Sequence, residues 1–360
     1  MKYSNSNKKV VVAMSGGVDS SVAAALLKEQ GYEVIGITMC FNLADSLGKR
    51  PGCCSIQGVE DARRVAHKLG IKHYVLNMQK ALNDHVIKDF CTQYSYGRTP
   101  NPCVICNQYL KFGELLKKTL ALGAKFIATG HYAKIQKIGN VFFLSKARDL
   151  KKDQSYFLYR LRQNQLKHVL FPLGEYLKDE VRAIARRFSL LVAEKEASQD
   201  ICFIPRAGIH EFLDSRIKIG VKPGPIVDSE GNIIAEHKGI AKYTIGQREG
   251  LGIARGYPLY VSSINYKNNQ ITVCKKEDIY KSEFMVKNTQ INSKALKNNI
   301  ALKVKIRYNH VASLAKLTIV KNRIKVIFKD PQFAITPGQS AVFYLSDRVI
   351  GGGIIDKVLK

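Results

Sequence analysis

Near its amino end the chain passes from an apolar strand through a glycine turn into a helix, and this junction constrains the fold most. Lys9–Met14 (KVVVAM) predicts a short buried strand, and Val22–Gln30 is rich in strong helix formers. Between them lies SGGVDSS, in which Ser15, Ser20 and Ser21 carry hydroxyl donors. Two glycines allow a sharp turn, and the N–H groups at a helix start attract anions. The junction predicts a phosphate or pyrophosphate site, although a plain glycine turn would use the same residues.

This loop differs from two common nucleotide-binding motifs. It lacks the Gly-Lys-Ser/Thr ending of a Walker A loop, and its glycines do not have the GxGxxG spacing. It matches the PP-loop motif of ATP pyrophosphatases, which cleave ATP between the α- and β-phosphates to adenylate a substrate. The resemblance implies that this loop holds the departing pyrophosphate.

Short apolar strands and helices alternate through the first half of the chain, which is typical of a parallel sheet covered on both faces. The strands and helices predicted beyond the loop are Glu33–Met39, Val59–Leu69, His73–Leu76, a helix near Gln108–Leu122, and Phe126–Ala128. Ligands in such sheets bind at the carboxyl ends of the strands. The loop, Met39 and Gly130 are therefore expected along one crevice.

The second half of the chain has a different texture. From about Val221, turn residues separate short β-branched runs, and from residue 281 onward alternating runs such as ALKVKIRY and RIKVIF follow one another. This pattern predicts a small all-β barrel or sandwich.

The charge balance is the second strong feature of the sequence. Lys and Arg number 57 against 29 Asp and Glu, a formal net charge of +28. Such an excess favours a polyanionic partner, with salt-sensitive phosphate contacts, although a lysine-rich proteome would produce it too. No apolar run approaches the ~18 residues that span a bilayer. The polar start MKYSNSNKK runs directly into the first strand, so we expect no signal peptide and a cytoplasmic location.

The cysteines show no regular framework and are expected to be thiols. They lie at positions 40, 53, 54, 91, 103, 106, 202 and 274. In YGRTPNPCVICN two prolines fix an extended approach to a helix, so Cys106 is expected near a helix N-terminus, where the dipole lowers the pKa of a thiol. The pair Cys103–Cys106 fits a redox pair, half of a metal site, a nucleophile with a neighbour, or two packed side chains. Cys202 alone is a weak signal, and for Cys53 and Cys54 we expect no required catalytic thiol.

The order of the motifs is more specific than any one of them. The PP-loop, TPNPCVICN, GHYA, KKDQSYFL, SQDICFIP and YTIGQREGLGI follow one another in that order. This arrangement closely resembles that of the bacterial tRNA-specific 2-thiouridylases, which make 2-thiouridine at the wobble position (U34) of tRNA. The resemblance covers nearly the whole chain. It implies an α/β, PP-loop (adenine nucleotide alpha hydrolase-like) domain at residues 1–208, a small β-rich central domain at 209–278 and a tRNA-binding β-barrel at 279–360.

The resemblance also implies how ATP is used. ATP would adenylate the C2 oxygen of the uridine, so that AMP becomes the leaving group. The residues expected to bind ATP are Ala13, Met14, Ser15, Gly16, Gly17, Val18, Asp19, Ser20, Met39 and Gly130. Asp19 would help to hold Mg²⁺, whose charge stabilises departing pyrophosphate.

For sulfur transfer, the resemblance implies a persulfide on Cys202, supplied by a cysteine desulfurase or a sulfur-relay protein. Cys106 would attack that persulfide, sulfide would reach the activated carbon, and a Cys106–Cys202 disulfide would remain to be reduced. The tRNA contacts implied are Asn101, Pro102 and Cys103 at the target base, with Lys152, Asp153, Gln154, Arg307 and Tyr308 elsewhere on the tRNA.

The sequence departs from the best-described members of this family at Cys103, where they have Asp. The acid/base work of that carboxylate cannot be copied here. Two roles stay open for Cys103: an alternative acid or base, or a third thiolate that joins Cys106 and Cys202 in holding an iron–sulfur cluster with an open site for sulfide.

Two other functions fit part of the sequence. Another PP-loop adenylating enzyme, such as an amidotransferase synthetase or a tRNA lysidine synthase, would use ammonia or an amine and would not need two distant reactive cysteines. A non-catalytic RNA-binding protein, in which the PP-loop is an inactive remnant, would have the positive charge but no catalytic activity.

Overall fold

The computed structural model describes residues 8–41, 56–196, 201–204, 208–292 and 298–359. The chain packs into two compact units. The first draws on Met1–Val86, Cys103–Arg206 and Asp347–Val349, and the second on Ile87–Pro102, Ala207–Ser346 and Ile350–Lys360. The domain limits expected from the sequence stay a prediction.

Helices occur mainly in the first unit. The α-helices of the described residues are α1 (Val18–Glu29), α2 (Ile56–Lys68), α3 (Gln79–Ala81), α4 (Lys88–Ser95), α5 (Pro102–Cys106), α6 (Leu116–Ala121), α7 (Gln163–Leu166), α8 (Lys178–Arg187) and α9 (Ile209–Asp214). Two wider π-helical segments, Leu82–Ile87 and Asn107–Leu115, adjoin α4 and α5. Among the described residues, none of these helices is long and apolar enough to cross a membrane.

A parallel sheet forms the centre of the first unit. Its strands are β1 (Lys9–Ala13), β2 (Glu33–Cys40), β3 (Lys72–Asn77), β4 (Phe126–Ala128) and, beyond the hairpin of β5 (Lys134–Ile138) and β6 (Val141–Ser145), β7 (Val169–Leu170). Their order is β3-β2-β1-β4-β7. Ala13 pairs with Ile37 of β2, and Val12 pairs with Ala128 of β4. The carboxyl ends of β1, β2 and β4 are therefore neighbours, as the sequence predicts.

The central strand β1 is buried because helices cover the sheet. Val10, Val11 and Val12 are 0% exposed, and such a continuous β-branched run is typical of a strand buried on both faces. Helix α1 packs on it with small and branched residues such as Val22 and Ala24. The helix starts at Val18, so it begins directly at the glycine turn rather than later, at Val22.

The second unit is built from β-strands. The strands are β8 (Gly224–Val227), β9 (Ile233–His237), β10 (Tyr260–Asn265), β11 (Gln270–Cys274), β12 (Tyr280–Ile291), β13 (Ile300–Lys305), β14 (Ser313–Val320), β15 (Arg323–Phe333), β16 (Ser340–Leu345) and β17 (Arg348–Val358). Strands β8 to β11 form a small sheet in the order β10-β11-β8-β9. Its core includes Ile226, Val261 and Ile271, which are 0% exposed.

The last strands close into a barrel. They follow the order β12-β15-β14-β13-β16-β17, and β12 also pairs with β17, with Phe284 opposite Val358. Burial alternates along the strands, so that Leu302 and Val304 of β13 point into the core. Of the two architectures that the sequence allows here, the structure has the barrel, and the α/β fold class with a parallel amino-terminal sheet is confirmed.

Candidate active site

The serines of the glycine turn hold the turn in shape. Ser20 Oγ and Ser21 Oγ donate to the carbonyl oxygen of Gly17 at 3.2 and 2.9 Å, and the Ser15 amide donates to Ser20 Oγ at 3.1 Å. Ser20 and Ser21 are 5% and 0% exposed. Their hydroxyls are therefore used inside the turn, whereas the sequence suggested that they were donors for a ligand. Ser15 is exposed at the surface of the turn.

The start of α1 presents backbone donors. The Ser21 amide makes the first helical bond, to Gly17 O at 3.3 Å. The amides of Val18, Asp19 and Ser20 precede it, and such groups have no acceptor inside the helix. The N-cap residue of α1 is Gly17, which has no side chain that could cap these amides. These amides and the positive end of the helix form a cradle for an anion.

Gly16 can only be glycine in this turn. Its φ is +71°, and a Cβ would collide with the carbonyl oxygen of Gly58 in α2. From the other direction, Lys195 Nζ donates to Gly16 O at 3.1 Å and to Asp61 Oδ2 at 2.7 Å. The turn is thus braced by α2 and by a lysine that lies far away in the sequence.

Two more predicted positions lie beside the turn. A Cβ on Gly130 would lie 2.6 Å from Asp19 C and Ser20 N, so the chain beyond β4 touches the start of α1. Met39 lies in β2 just beyond Ile37, the partner of Ala13, at the same edge of the sheet. The structure therefore brings this part of the predicted ATP set together.

Asp19 is the charged centre of this site. Its Oδ1 accepts from Lys178 Nζ at 2.6 Å and from the Tyr132 hydroxyl at 2.8 Å. Burial, and then the charge and hydrogen bond of Asp19, raise the pKa of Tyr132 far above its ordinary value, so Tyr132 stays a neutral donor. Tyr132 belongs to the GHYA motif, whose role at this carboxylate the sequence did not reveal.

Lys178 and Lys195 were missed by the sequence reading. Lys178 is the first residue of α8, and its backbone amide donates to Asp149 Oδ2 at 3.0 Å. The first-turn carboxylates of KDEV are a recognisable helix-start signal. No local pattern indicates that either lysine reaches a loop near the amino end.

The cysteine helix begins earlier than predicted. It starts at Pro102, so Cys103 lies in its first turn and Cys106 in its second, where the chain passes into the π-helical segment Asn107–Leu115. Cys106 is thus four residues beyond the helix start, and Cys103 is the thiol nearer to the N-terminus. Pro is favoured at the first helical residue, because its missing N–H has no helical acceptor there.

The thiols differ in exposure. Cys103 and Cys202 are exposed and Cys106 is half-buried, and none of them is in a disulfide. By contrast, burial raises the pKa of the Cys91 and Cys274 thiols. Cys53 and Cys54 lie outside the described residues.

A metal-ligand set is not assembled among the described residues. In residues 8–41, 56–196, 201–204, 208–292 and 298–359, no group of three or more His, Cys, Asp or Glu side chains has the geometry to hold a metal ion. The iron–sulfur alternative for Cys103, Cys106 and Cys202 stays a prediction.

The predicted tRNA-binding turn is held by its own side chains. Asp153 is 4% exposed, and its carboxylate accepts from the Ala147 amide at 3.0 Å and from Ser155 Oγ at 2.7 Å. Gln154 exchanges hydrogen bonds with the backbone of Tyr132. Of the three predicted residues here, Lys152 has the exposed side chain.

In the second unit, Arg307 and Tyr308 lie half-buried beyond β13. Arg307 donates to the carbonyl oxygen of Phe333, and Lys305 Nζ lies 5.3 Å from the centre of the Tyr308 ring. Asn101 directly precedes α5, and Pro102 is the first residue of that helix. The tRNA contacts of all these residues stay predictions.

The parallel sheet, the glycine turn at its edge and the amide cradle at α1 define a nucleotide-binding α/β protein of the PP-loop class. Family models agree along the chain. The tRNA methyl transferase HUP domain matches residues 8–206, the tRNA methyl transferase PRC-barrel domain 210–275 and the aminomethyltransferase beta-barrel domain 281–355.

Relatives that align over nearly the whole chain show which family of PP-loop proteins it belongs to. The tRNA-specific 2-thiouridylase MnmA of Clostridium perfringens is 49% identical over 356 residues, which cover 98% of this chain and 99% of the relative. That of Halothermothrix orenii is 49% identical over 354 residues, 96% of this chain and 98% of its own. The chain belongs to the tRNA-specific 2-thiouridylase family. Among solved structures, a 4-thiouridine synthetase–RNA complex with bound ATP aligns with 58% of this chain and 50% of its own at 18% identity and a TM-score of 0.36.

Proposed function

We propose that this protein is a tRNA-uridine 2-sulfurtransferase. It uses ATP and a persulfide to convert the wobble uridine (U34) of tRNA into 2-thiouridine, with AMP and pyrophosphate as the other products. The proposal depends on one observation about the composition of the first unit. It combines an anion cradle at α1 with the thiols of Cys103, Cys106 and Cys202, in a chain that aligns end to end with 2-thiouridylases.

In the activation step, the C2 oxygen of uridine attacks the α-phosphorus of ATP, and pyrophosphate leaves. The amides at the start of α1 receive the pyrophosphate charge, and Lys178 and Lys195 lie beside the same turn. Met39 and Gly130 border the adenosine. Mg²⁺, held with ATP near Asp19, supplies further positive charge to the phosphates when bound. Asp19 also fixes Tyr132 and Lys178 around the turn.

In the sulfur step, the Cys106 thiolate attacks the inner sulfur of a Cys202 persulfide. A Cys106–Cys202 disulfide forms and hydrosulfide is released. The hydrosulfide attacks C2 of the adenylated uridine, and AMP leaves with the former C2 oxygen. A dithiol reductant then supplies two electrons to restore both thiols. A cysteine desulfurase or a sulfur-relay protein reloads Cys202, whose exposure suits a protein donor.

Each unit, taken by itself, carries residues that contact the tRNA. Asn101, Pro102 and Cys103 contact the target base, Lys152 supplies an exposed cation, and Asp153 and Gln154 hold that turn in place. Arg307 and Tyr308 contact the tRNA from the second unit. We also propose the domain limits 1–208, 209–278 and 279–360, and a cytoplasmic location, where tRNA, ATP and reductant are available.

Thiolation of unmodified tRNA tests the proposal directly. The wild-type chain, ATP, Mg²⁺ and a persulfide donor are expected to yield 2-thiouridine, detected by its retardation in a mercury gel. Cys106→Ser and Cys202→Ser should each abolish the product, whereas Cys91→Ser should not. Intact turnover in both serine variants would indicate a PP-loop enzyme that uses another nucleophile. Absence of any tRNA-dependent AMP formation would indicate RNA binding alone.

A further variant distinguishes between the two roles that are open for Cys103. In Cys103→Asp the carboxylate can still take or give a proton, but it is a poor thiolate replacement. Retained thiolation would support acid/base work. Loss of thiolation, together with loss of iron and acid-labile sulfide from anaerobically purified protein, would support the cluster alternative.

A further inference from the structure

The segment just before the cysteine helix is held along its backbone by the barrel. Within the second unit, the Thr99 amide donates to the carbonyl oxygen of Pro337 at 3.0 Å. Gln339 Nε2 donates to the carbonyl oxygens of Thr99 and Pro100 at 2.9 and 3.3 Å. One barrel side chain therefore holds two successive carbonyls of an extended stretch.

A glycine makes this approach possible. Gly338 has φ +97°, and a Cβ there would lie 2.9 Å from Thr99 N and 2.9 Å from Thr99 O. Real side chains do not approach a backbone so closely, so any larger residue would push Thr99 away. Gly97 has the same role on the other side of the segment, because a Cβ there would collide with Ile264 of β10.

Charge fixes the beginning of the segment. Arg98 Nη2 lies 3.2 Å from Asp356 Oδ1 in β17, and Asp356 also pairs with Lys287 at 2.6 Å and with Arg323 at 3.0 Å. The Asp356 side chain is only 11% exposed. Thr99 Oγ1 adds a bond to Thr244 Oγ1 at 3.3 Å. The segment is thus fixed by backbone, side-chain and ionic contacts together.

We propose that Gln339, Gly338 and Asp356 are positioning residues for the thiol chemistry. They fix Arg98–Pro100 and, through it, the start of α5, which carries Cys103 and Cys106. The connection is short and stiff, because Pro100 and Pro102 flank the single residue Asn101 and each proline fixes its own φ. The inference rests on the proposed sulfur transfer, in which the Cys106 sulfur must meet the Cys202 persulfide.

The test uses two substitutions in the full chain. Gly338→Ala adds a methyl group against Thr99, and Gln339→Met removes both donor bonds at nearly constant length. A misplacement of about 1 Å can lower a rate by about a hundredfold. We therefore expect kcat for thiolation to fall by about ten- to a hundredfold. KM for ATP and KM for tRNA should each change by less than about threefold. The rate at which iodoacetamide alkylates Cys106, followed by mass spectrometry, should change, while that of Cys202 should not.

Matched controls separate positioning from general damage. Gly231 has φ +91° but open space around a Cβ, so Gly231→Ala carries similar backbone strain without the collision. Gln290→Met removes a barrel glutamine that donates to Asn292 instead. Both controls should keep the wild-type kcat and the wild-type alkylation rate of Cys106. Thermal unfolding checks that every variant is folded.

The outcomes are distinct. If Gln339→Met folds and keeps both the kcat and the Cys106 alkylation rate of the wild type, the inference is overturned, even if Gly338→Ala fails to fold. A lower melting temperature with an unchanged kcat would show a merely structural role and would overturn it too. If the wild type makes no 2-thiouridine, the proposed function fails instead. The alkylation rates then still decide whether the barrel positions Cys106.

Discussion

Lys178 Nζ lies 2.6 Å from Oδ1 of Asp19, and this ion pair joins the start of α8 to the start of α1. The Lys178 and Asp19 side chains are 13% and 31% exposed. The pair places the Lys178 cation beside the amide cradle, and it fixes the carboxylate of Asp19.

Lys178→Met should weaken ATP binding. Among the residues that the structure describes, the variant leaves Asp19 with the neutral hydroxyl of Tyr132, and it removes a cation from the phosphate site. Hydrogen bonds to charged groups contribute about 1.5–3 kcal/mol, so the Kd for ATP should rise by about ten- to a hundredfold. Isothermal titration calorimetry with ATP and Mg²⁺ measures the change. Lys117→Met is the control, because Lys117 pairs with Glu114 at the surface and is 75% exposed. Equal Kd values for both variants would contradict the role of Lys178.

Gly130→Ala should disrupt the nucleotide site without unfolding the sheet. The new methyl group would press on Asp19 C and Ser20 N, the backbone that carries the cradle amides. We expect loss of ATP binding at concentrations that saturate the wild type, with the circular dichroism spectrum retained. Gly123→Ala provides a demanding comparison: its φ of +71° adds strain, but no non-neighbouring atom of the described residues lies within 4 Å of a Cβ there. If Gly130→Ala binds ATP as tightly as Gly123→Ala does, the close packing at Gly130 does not contribute to ATP binding.

Lys195→Met should loosen the glycine turn. The substitution removes the donor to Gly16 O and leaves the Asp61 carboxylate, only 15% exposed, without its cation. We expect the free energy of unfolding to fall by about 1–3 kcal/mol, measured by urea denaturation. Asp61→Asn provides a double-mutant cycle. If the two single effects add fully in the double variant, Lys195 and Asp61 are not coupled and the brace is not real.

Asp356 should make stability depend on acid pH. Burial alone would raise its pKa, but the hydrogen bond and charge of Lys287, and then of Arg98, hold the pKa of Asp356 below its ordinary value. A carboxyl with a depressed pKa in the folded state adds stability above its unfolded pKa of about 3.9, and this contribution is lost as pH falls through the folded value. The wild type should therefore exceed Asp356→Asn in stability at pH 6, and the gap should close below about pH 4. A gap that stays constant from pH 6 to pH 3 in urea denaturation would refute the assignment.

The sequence predicted those parts of the site that depend on local pattern. The strand, the glycine turn and Gly130 could be placed because a parallel sheet brings the carboxyl ends of its strands to one edge. The start of α5 at Pro102 was also within reach, since proline is favoured at the first helical residue. The extended approach expected through both prolines placed the helix start too late in the sequence.

Lys195, Lys178 and Gln339 could not be predicted in the same way. Each acts on a residue that is distant in sequence, namely Gly16, Asp19 and Thr99. Only the packing of helices and strands determines where such long side chains end. Nor could the sequence show that Asp153 is buried, because an acidic residue between Lys152 and Gln154 is usually a surface residue.

The closed barrel limits how a partner can be recognised. Because β12 pairs with both β15 and β17, the ring has no free strand edge at that point. An open edge could accept an extended peptide as an additional strand, and it would also invite aggregation with other chains. Recognition by this barrel must therefore use side chains and the loops between strands. Substitutions of those residues can therefore change the surface that the barrel presents, while the hydrogen-bonded ring keeps its register.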